Sequence, residues 1–137
     1  MKLPASQFLR FCLVGTVGFV VDAGLLYALM RGVGADPYSG RVVSFLVAAS
    51  VTWAFNRWFT FRGPAYAGGQ PGWRRQWSDY VALTAVGAAI NYGVYVLCLL
   101  NSPLMRAVPT LAVAVGAVVA LAFNYLTARN LVFARRR

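Results

Sequence analysis

Two stretches of this chain, residues 80–105 and 107–128, contain no charged side chain, and residues 11–30 contain only Asp22. About 20 apolar residues are what a helix needs to cross a hydrocarbon core roughly 30 Å thick. Runs of that length and purity cannot be left in water, so the chain is an integral membrane protein. Composition agrees: of 137 residues 60% are hydrophobic and 12% charged, against about 25% charged in a soluble domain. The formal charge of +10 raises nucleic acid as a partner, but the placement of the charges excludes it. They lie between the apolar runs instead of along one surface.

Missing residue types narrow the chemistry. With no His there is neither an imidazole base nor a His metal ligand, and the three acidic residues, Asp22, Asp36 and Asp79, offer no paired carboxylates. Cys12 and Cys98 fall inside apolar spans and read as small core residues. No enzymatic activity, metal or cofactor is expected.

The expected architecture is all-α, with four transmembrane helices in a single domain over residues 1–137. The spans run from about Phe8 to Met30, Tyr38 to Phe61, Trp77 to Leu100 and Leu104 to Ala128. Arg31 to Pro37 and Asn101 to Pro103 are tight turns, which makes two helical hairpins, residues 8–61 and 77–133. The Gly- and Pro-rich linker, residues 63–76, reads as a hinge, with Trp73 and Trp77 at the membrane interface. Ten of the 13 basic residues, Lys2, Arg10, Arg57, Arg62, Arg74, Arg75, Arg129 and Arg135 to Arg137, fall on one side, and Arg31, Arg41 and Arg106 on the other. The positive-inside rule then places both termini and the linker in the cytoplasm. The start MKLPASQFLR has the look of a signal-peptide n-region, but no small-residue cleavage site follows, so the first span reads as an uncleaved anchor.

The hairpins are related by an internal repeat. VGFVVDAG at residues 17–24 matches VGAAINYG at 86–93 with a shift of 69, pairing Gly18 with Gly87, Asp22 with Asn91 and Gly24 with Gly93. The second helix of each hairpin aligns either on AFN, residues 54–56 with 122–124, a shift of 68, or on R-x-x-x-F, Arg57 and Phe61 with Arg129 and Phe133, a shift of 72. The second is preferred, because each helix then ends in an Arg followed one turn later by an interfacial aromatic. Two units of two spans point the same way, related by an axis along the membrane normal.

Two groups of polar residues stand out. Asp22 lies near the middle of the first span, where an Asp costs ~2.5 to 3.5 kcal/mol on insertion scales, so it reads either as a ligand group or as a hydrogen bond to Asn91. Gly15, Gly18 and Asp22 share one helix face that can approach a neighbour closely. Arg10, Arg57 and Arg129 close three spans at the cytoplasmic interface, where guanidinium forks suit phosphate or snorkel to lipid headgroups. Thr52, Asn56 and Asn124 lie one or two turns deeper. Arg41 reads as an interfacial anchor that could meet a phosphate on the far side, and the remaining arginines as charge facing anionic phospholipid or a partner protein.

The segments RFCLVGTVGFVVDAGLLYAL, AFNRWFTF and FNYLTARNLVF together resemble the GtrA-like family of small four-span bacterial membrane proteins, from Arg10 to Phe133. Ala128 stands opposite Asn56 in the second repeat, so the halves do not offer identical ligands. The resemblance implies a role in cell-surface polysaccharide synthesis in the bacterial cytoplasmic membrane: translocation of a polyprenyl phosphate sugar made by a partner glycosyltransferase. Such a carrier needs an interfacial cation, supplied by Arg10, Arg57 or Arg129, and deeper hydrogen-bonding groups, supplied by Asp22, Asn56, Asn91 and Asn124. Four helices are few to enclose the head group, so a homodimer through the glycine-bearing faces is expected. Two other functions compete: a non-transporting anchor for a membrane glycosyltransferase, and a proton-coupled exporter titrating Asp22, which the interfacial arginines disfavour.

Overall fold

The computed structural model describes residues 5–63, 66 and 71–134; Lys2, Arg135, Arg136 and Arg137, assigned above to one side of the membrane, lie outside these. The described chain is all helix: α1 (Ala5–Gly32), α2 (Pro37–Phe55), α3 (Trp73–Asn101), a short α4 (Pro103–Ala107) and α5 (Pro109–Thr127). α2 and α5 each run on into one π-helical turn, Asn56–Thr60 and Ala128–Val132. Four helices are long and apolar enough to cross a membrane. α1, at 28 residues, is about 42 Å long, more than the hydrocarbon core requires.

The start and stop signals are local. Asp36 caps α2, its Oδ1 accepting the amide of Ser39 at 3.1 Å, with Pro37 in the first helical position. The preceding turn uses Gly34 at φ 66°, a left-handed conformation that glycine adopts freely. Ser102 caps α4 through its hydroxyl to the Met105 amide.

Two boundaries differ from the sequence expectation. The third helix begins at Trp73 instead of Trp77, so the linker is shorter by one turn. The fourth span is not continuous from Leu104: the chain leaves the helix at Val108, φ −130° and ψ 78°. Proline has no amide hydrogen, and its ring drives the preceding residue out of the helical region, so Pro109 ends α4 and starts α5.

α1 packs along α2, and α3 along α5, giving the two hairpins. The hairpins join where α2 meets α3, through Trp77 Nε1 donating to Ser50 Oγ at 2.9 Å and Asn56 Nδ2 donating to the Tyr80 hydroxyl at 2.9 Å. Trp77 therefore turns inward, while Trp73 is the exposed tryptophan of the pair. Residues 5, 60, 73 and 132 share one end of the bundle, here the terminal end. There α1 reaches α5 through Phe8 and Phe11 against the Tyr125 ring, and Gln7 accepts from the Tyr125 hydroxyl at 3.1 Å.

The tightest packing lies at the terminal end. Phe61 and Phe133, each placed just after a π turn, stack with centroids 4.6 Å apart and planes 15° apart, and neither retains more than 1% of its surface. The sequence reading puts these two rings at the level of the membrane interface; the structure turns them into the bundle, where the amides of Phe61 and Phe133 bond to the carbonyls of Asn56 and Ala128, five residues back, at 2.8 and 2.9 Å. That register holds one more residue per turn than an α-helix and so changes the face the next ring takes. The remaining large apolar surface, such as Val20, Tyr27 and Val118, points outward as lipid-facing helix surface does.

Candidate functional site

α1 and α5 meet at the terminal end, and a crevice of about 270 Å³ lies between the hairpins. Its first wall is built by α1 and α2, from Gly15, Gly18, Phe19 and Asp22 to Arg41, Ala48, Thr52 and Asn56. Its second wall comes from α3 and α5, with Tyr80, Thr84, Asn124 and Thr127 among leucines and alanines. The fifteen residues from Arg41 to Asn56 along α2 place the groups over about 22 Å of helix.

Small residues set the wall spacing. Gly18 lies so near Thr52 that a Cβ there would overlap Thr52 Cγ2, and Gly87 likewise faces the Asn124 amide. Gly116 faces Asn91, including its backbone carbonyl. The glycine face of α1 is thus consumed within the chain at Gly18, while Gly15 lines the crevice.

Asp22 has a different partner from the one the repeat suggests. Arg41 Nη1 donates to Asp22 Oδ2 in an ion pair, and the Ser44 hydroxyl donates to Asp22 Oδ1 at 2.6 Å. Asn91 is not its partner; it packs against Gly116 in the other hairpin. Arg41 and Ser44 escape a span-by-span reading because each belongs to a different helix from Asp22. The available signal is hairpin register: Asp22 lies ten residues before the end of α1 and Ser44 seven after the start of α2, so the two face each other across the turn.

At the closed end of the crevice the groups are neutral. Asn56, 1% exposed, donates to Tyr80, and its Oδ1 has no hydrogen-bond partner among the described residues; neither does Asn124 Oδ1. These two carbonyl oxygens are unpaired acceptors in a low-dielectric setting, where an unpaired polar group is costly unless something else bonds it.

Of the seven residues selected from sequence, the crevice gathers Asp22, Asn56 and Asn124 and leaves four outside. Arg10 donates to the Phe59 carbonyl at 3.4 Å and sits 5.2 Å from the Phe59 ring. Arg57 donates to Gln76 Oε1 and lies 5.8 Å from the Trp53 ring. Arg129 keeps a buried Nη1 without a hydrogen-bond partner among the described residues. Asn91 is the fourth. Tyr80, Thr84 and Thr127 line the crevice without having been singled out, since hydroxyls at helix positions carry no signal of their own.

The fold and crevice define a polytopic helical membrane protein whose paired hairpins enclose a polar-lined cleft within an apolar bundle. Residues 10–133 match the family described as GtrA/DPMS, transmembrane domain, and the chain belongs to that family. No curated protein matches the chain significantly. Family membership carries a role in handling lipid-linked sugars and places the chain in a membrane as a multi-pass protein.

Proposed function

We propose that the protein translocates a polyprenyl-phosphate-linked sugar across the bacterial cytoplasmic membrane, with both termini in the cytoplasm. The observation that supports this reading is the crevice: it has hydrogen-bonding groups from all four long helices set in apolar walls. A hydroxylated head group needs neutral donors and acceptors at depth, which Asn56, Tyr80, Thr84 and Asn124 offer. A polyprenyl tail needs a lateral exit into lipid, for which the sparsely contacting pair α1 and α5 is the proposed place. Arg129, with an unpaired buried guanidinium nitrogen, is the interfacial cation best placed to take a phosphate on the terminal side.

A second copy of the chain and a membrane glycosyltransferase are the proposed partners. A homodimer would use Gly24 and Gly93, where an added methyl would meet no neighbouring helix within 4 Å among the described residues, instead of Gly18.

Reconstituted vesicles test the proposal. Labelled polyprenyl phosphate sugar, loaded in the inner leaflet, becomes accessible outside faster with wild-type protein than in empty vesicles. Asn124→Leu, which replaces the crevice amide by an apolar group of the same shape, and Arg129→Ala both slow it at least tenfold. Equal rates for wild type, variants and empty vesicles refute translocation and leave the glycosyltransferase-anchoring function.

A further inference from the structure

The Asp22–Arg41 pair has an internal control. At the shifts of 69 and 72, Asp22 corresponds to Asn91, Ser44 to Gly116 and Arg41 to Val113. The correspondence is geometric as well: Asp22 meets Ser44 between α1 and α2, and Asn91 meets Gly116 between α3 and α5. Elsewhere it repeats, with Gly18 on Thr52 and Gly87 on Asn124, and with Gln7 and Gln76 each donating to the carbonyl of its own π turn, at Thr60 and Val132. The second hairpin therefore closes the same helix contact without any charge. The ion pair is dispensable for packing, yet it places a full carboxylate about 15 Å from the end of α1, where burying charge is costly.

Its position shows what it can do. Among the described residues lining the crevice, Arg41 and Asp22 are the charged ones, and they sit at the end opposite Asn56 and Tyr80. Arg41 keeps 57% of its side-chain surface exposed and Asp22 16%. The carboxylate is fixed by Ser44 and takes a single Nη of a guanidinium that has five N–H donors. The remaining donors of that fork have no partner among the described contacts, and Arg41 lines the crevice.

We infer that Arg41 is a binding site for the phosphate ester of a lipid and that Asp22 is its built-in counter-ion, which holds Arg41 in the empty protein and yields it to the incoming phosphate. The exchange is ion pair for ion pair: the Arg41 Nη1 contact to Asp22 opens, a bidentate contact to two phosphate oxygens forms, and Asp22 retains the Ser44 hydroxyl. A planar fork suits two phosphate oxygens better than one carboxylate oxygen, which gives the exchange its direction. Sequence reading leaves Asp22 as a ligand group or a helix hydrogen bond and Arg41 as an anchor that could meet a phosphate on the far side; the inference takes the phosphate to Arg41 and makes Asp22 its counter-ion. The inference rests on the translocation reading only for the identity of the lipid.

Binding is measured on purified full-length protein in nanodiscs of phosphatidylcholine, with farnesyl phosphate as probe and farnesol and inorganic phosphate as controls. Wild type prefers farnesyl phosphate over farnesol, and inorganic phosphate at tenfold excess does not displace it. Asp22→Asn, which removes the competitor, tightens farnesyl phosphate binding five- to tenfold. Arg41→Gln abolishes the preference over farnesol, and Asp22→Asn/Arg41→Gln behaves as Arg41→Gln does. Weakening by Asp22→Asn, retained preference in Arg41→Gln, or displacement by inorganic phosphate overturns the inference. Asp22→Asn/Arg41→Val gives these two positions the residues of the second hairpin and is expected to elute and melt as wild type; its misfolding would show that the pair is structural and also overturns it. The binding pattern stands or falls separately from transport, since a protein that binds in this way and moves nothing across vesicles defeats translocation alone.

Discussion

The hydrogen bond from Asn56 to Tyr80 is the strongest test of how the closed end of the crevice is held. Asn56 is 1% exposed and Tyr80 6%, and the bond is 2.9 Å long. Tyr80→Phe removes the acceptor and leaves an amide whose Oδ1 already lacks a partner among the described residues, so the whole group is buried unpaired. That costs ~1–3 kcal/mol. Asn56→Ala is milder, about 1 kcal/mol, because the Tyr80 hydroxyl has Thr52 and Thr84 beside it to bond instead. The double variant recreates what the other repeat already contains, Phe11 and Ala128 together in the buried cluster. Its loss should therefore fall short of the sum of the singles by ~0.6–1.7 kcal/mol, the range for interhelical hydrogen bonds in membranes. The four proteins are compared by denaturant unfolding in micelles, followed by circular dichroism. Additivity within ~0.3 kcal/mol would mean the two groups do not depend on each other and would refute the reasoning.

The helix glycines should separate by what a methyl would strike. Gly116→Ala meets the Asn91 carbonyl oxygen at 2.7 Å, which is backbone and cannot rotate away, so α3 and α5 must part at ~1–3 kcal/mol. Gly87→Ala meets only the Asn124 amide, which can swing, and Gly15→Ala meets nothing within 4 Å and should gain up to ~1 kcal/mol of helix propensity. Melting temperatures in detergent should follow that order, and a Gly116→Ala protein as stable as Gly15→Ala would defeat it. Phe61→Ala opens the stack on Phe133 and should cost ~3–5 kcal/mol. Phe19→Ala, at a ring 73% exposed, should change unfolding by less than ~1 kcal/mol.

The four spans were legible in the sequence because charge-free length is the one property the bilayer demands, and no packing detail can override it. The site was legible where a polar residue stood out in an apolar helix: Asp22, Asn56 and Asn124 all line the crevice. The partners of Asp22 were not, since Arg41 near a helix start has an ordinary explanation as an anchor and only the hairpin register brings it to Asp22. Phe61 and Phe133 were read as closing the spans one turn after Arg57 and Arg129, but which way their rings turn was not legible. A π turn has no compositional mark, so the extra residue that swings both rings inward could not be read from spacing.

The repeat shows the same limit from the other side. AFN at 54–56 and AFN at 122–124 are identical strings, yet the contacts do not pair them: Asn124 faces Gly87 as Thr52 faces Gly18, which sets the later helices 72 residues apart. The first helices are 69 apart, so three residues have entered the second hairpin between its helices. α4 lies in that place, a cap and one short helical piece broken by Pro109, and its apolar composition made it read as the start of a span. Asn56 and Asn124 are consequently not symmetry mates but stand one turn apart along the crevice, as do the single unpaired acceptors they present. Two equivalent asparagines would have offered a ligand the same group at one depth. The displaced pair offers acceptors at successive depths, on opposite walls, below the one cation at the mouth, which is the pattern an elongated head group with a phosphate at one end can fill.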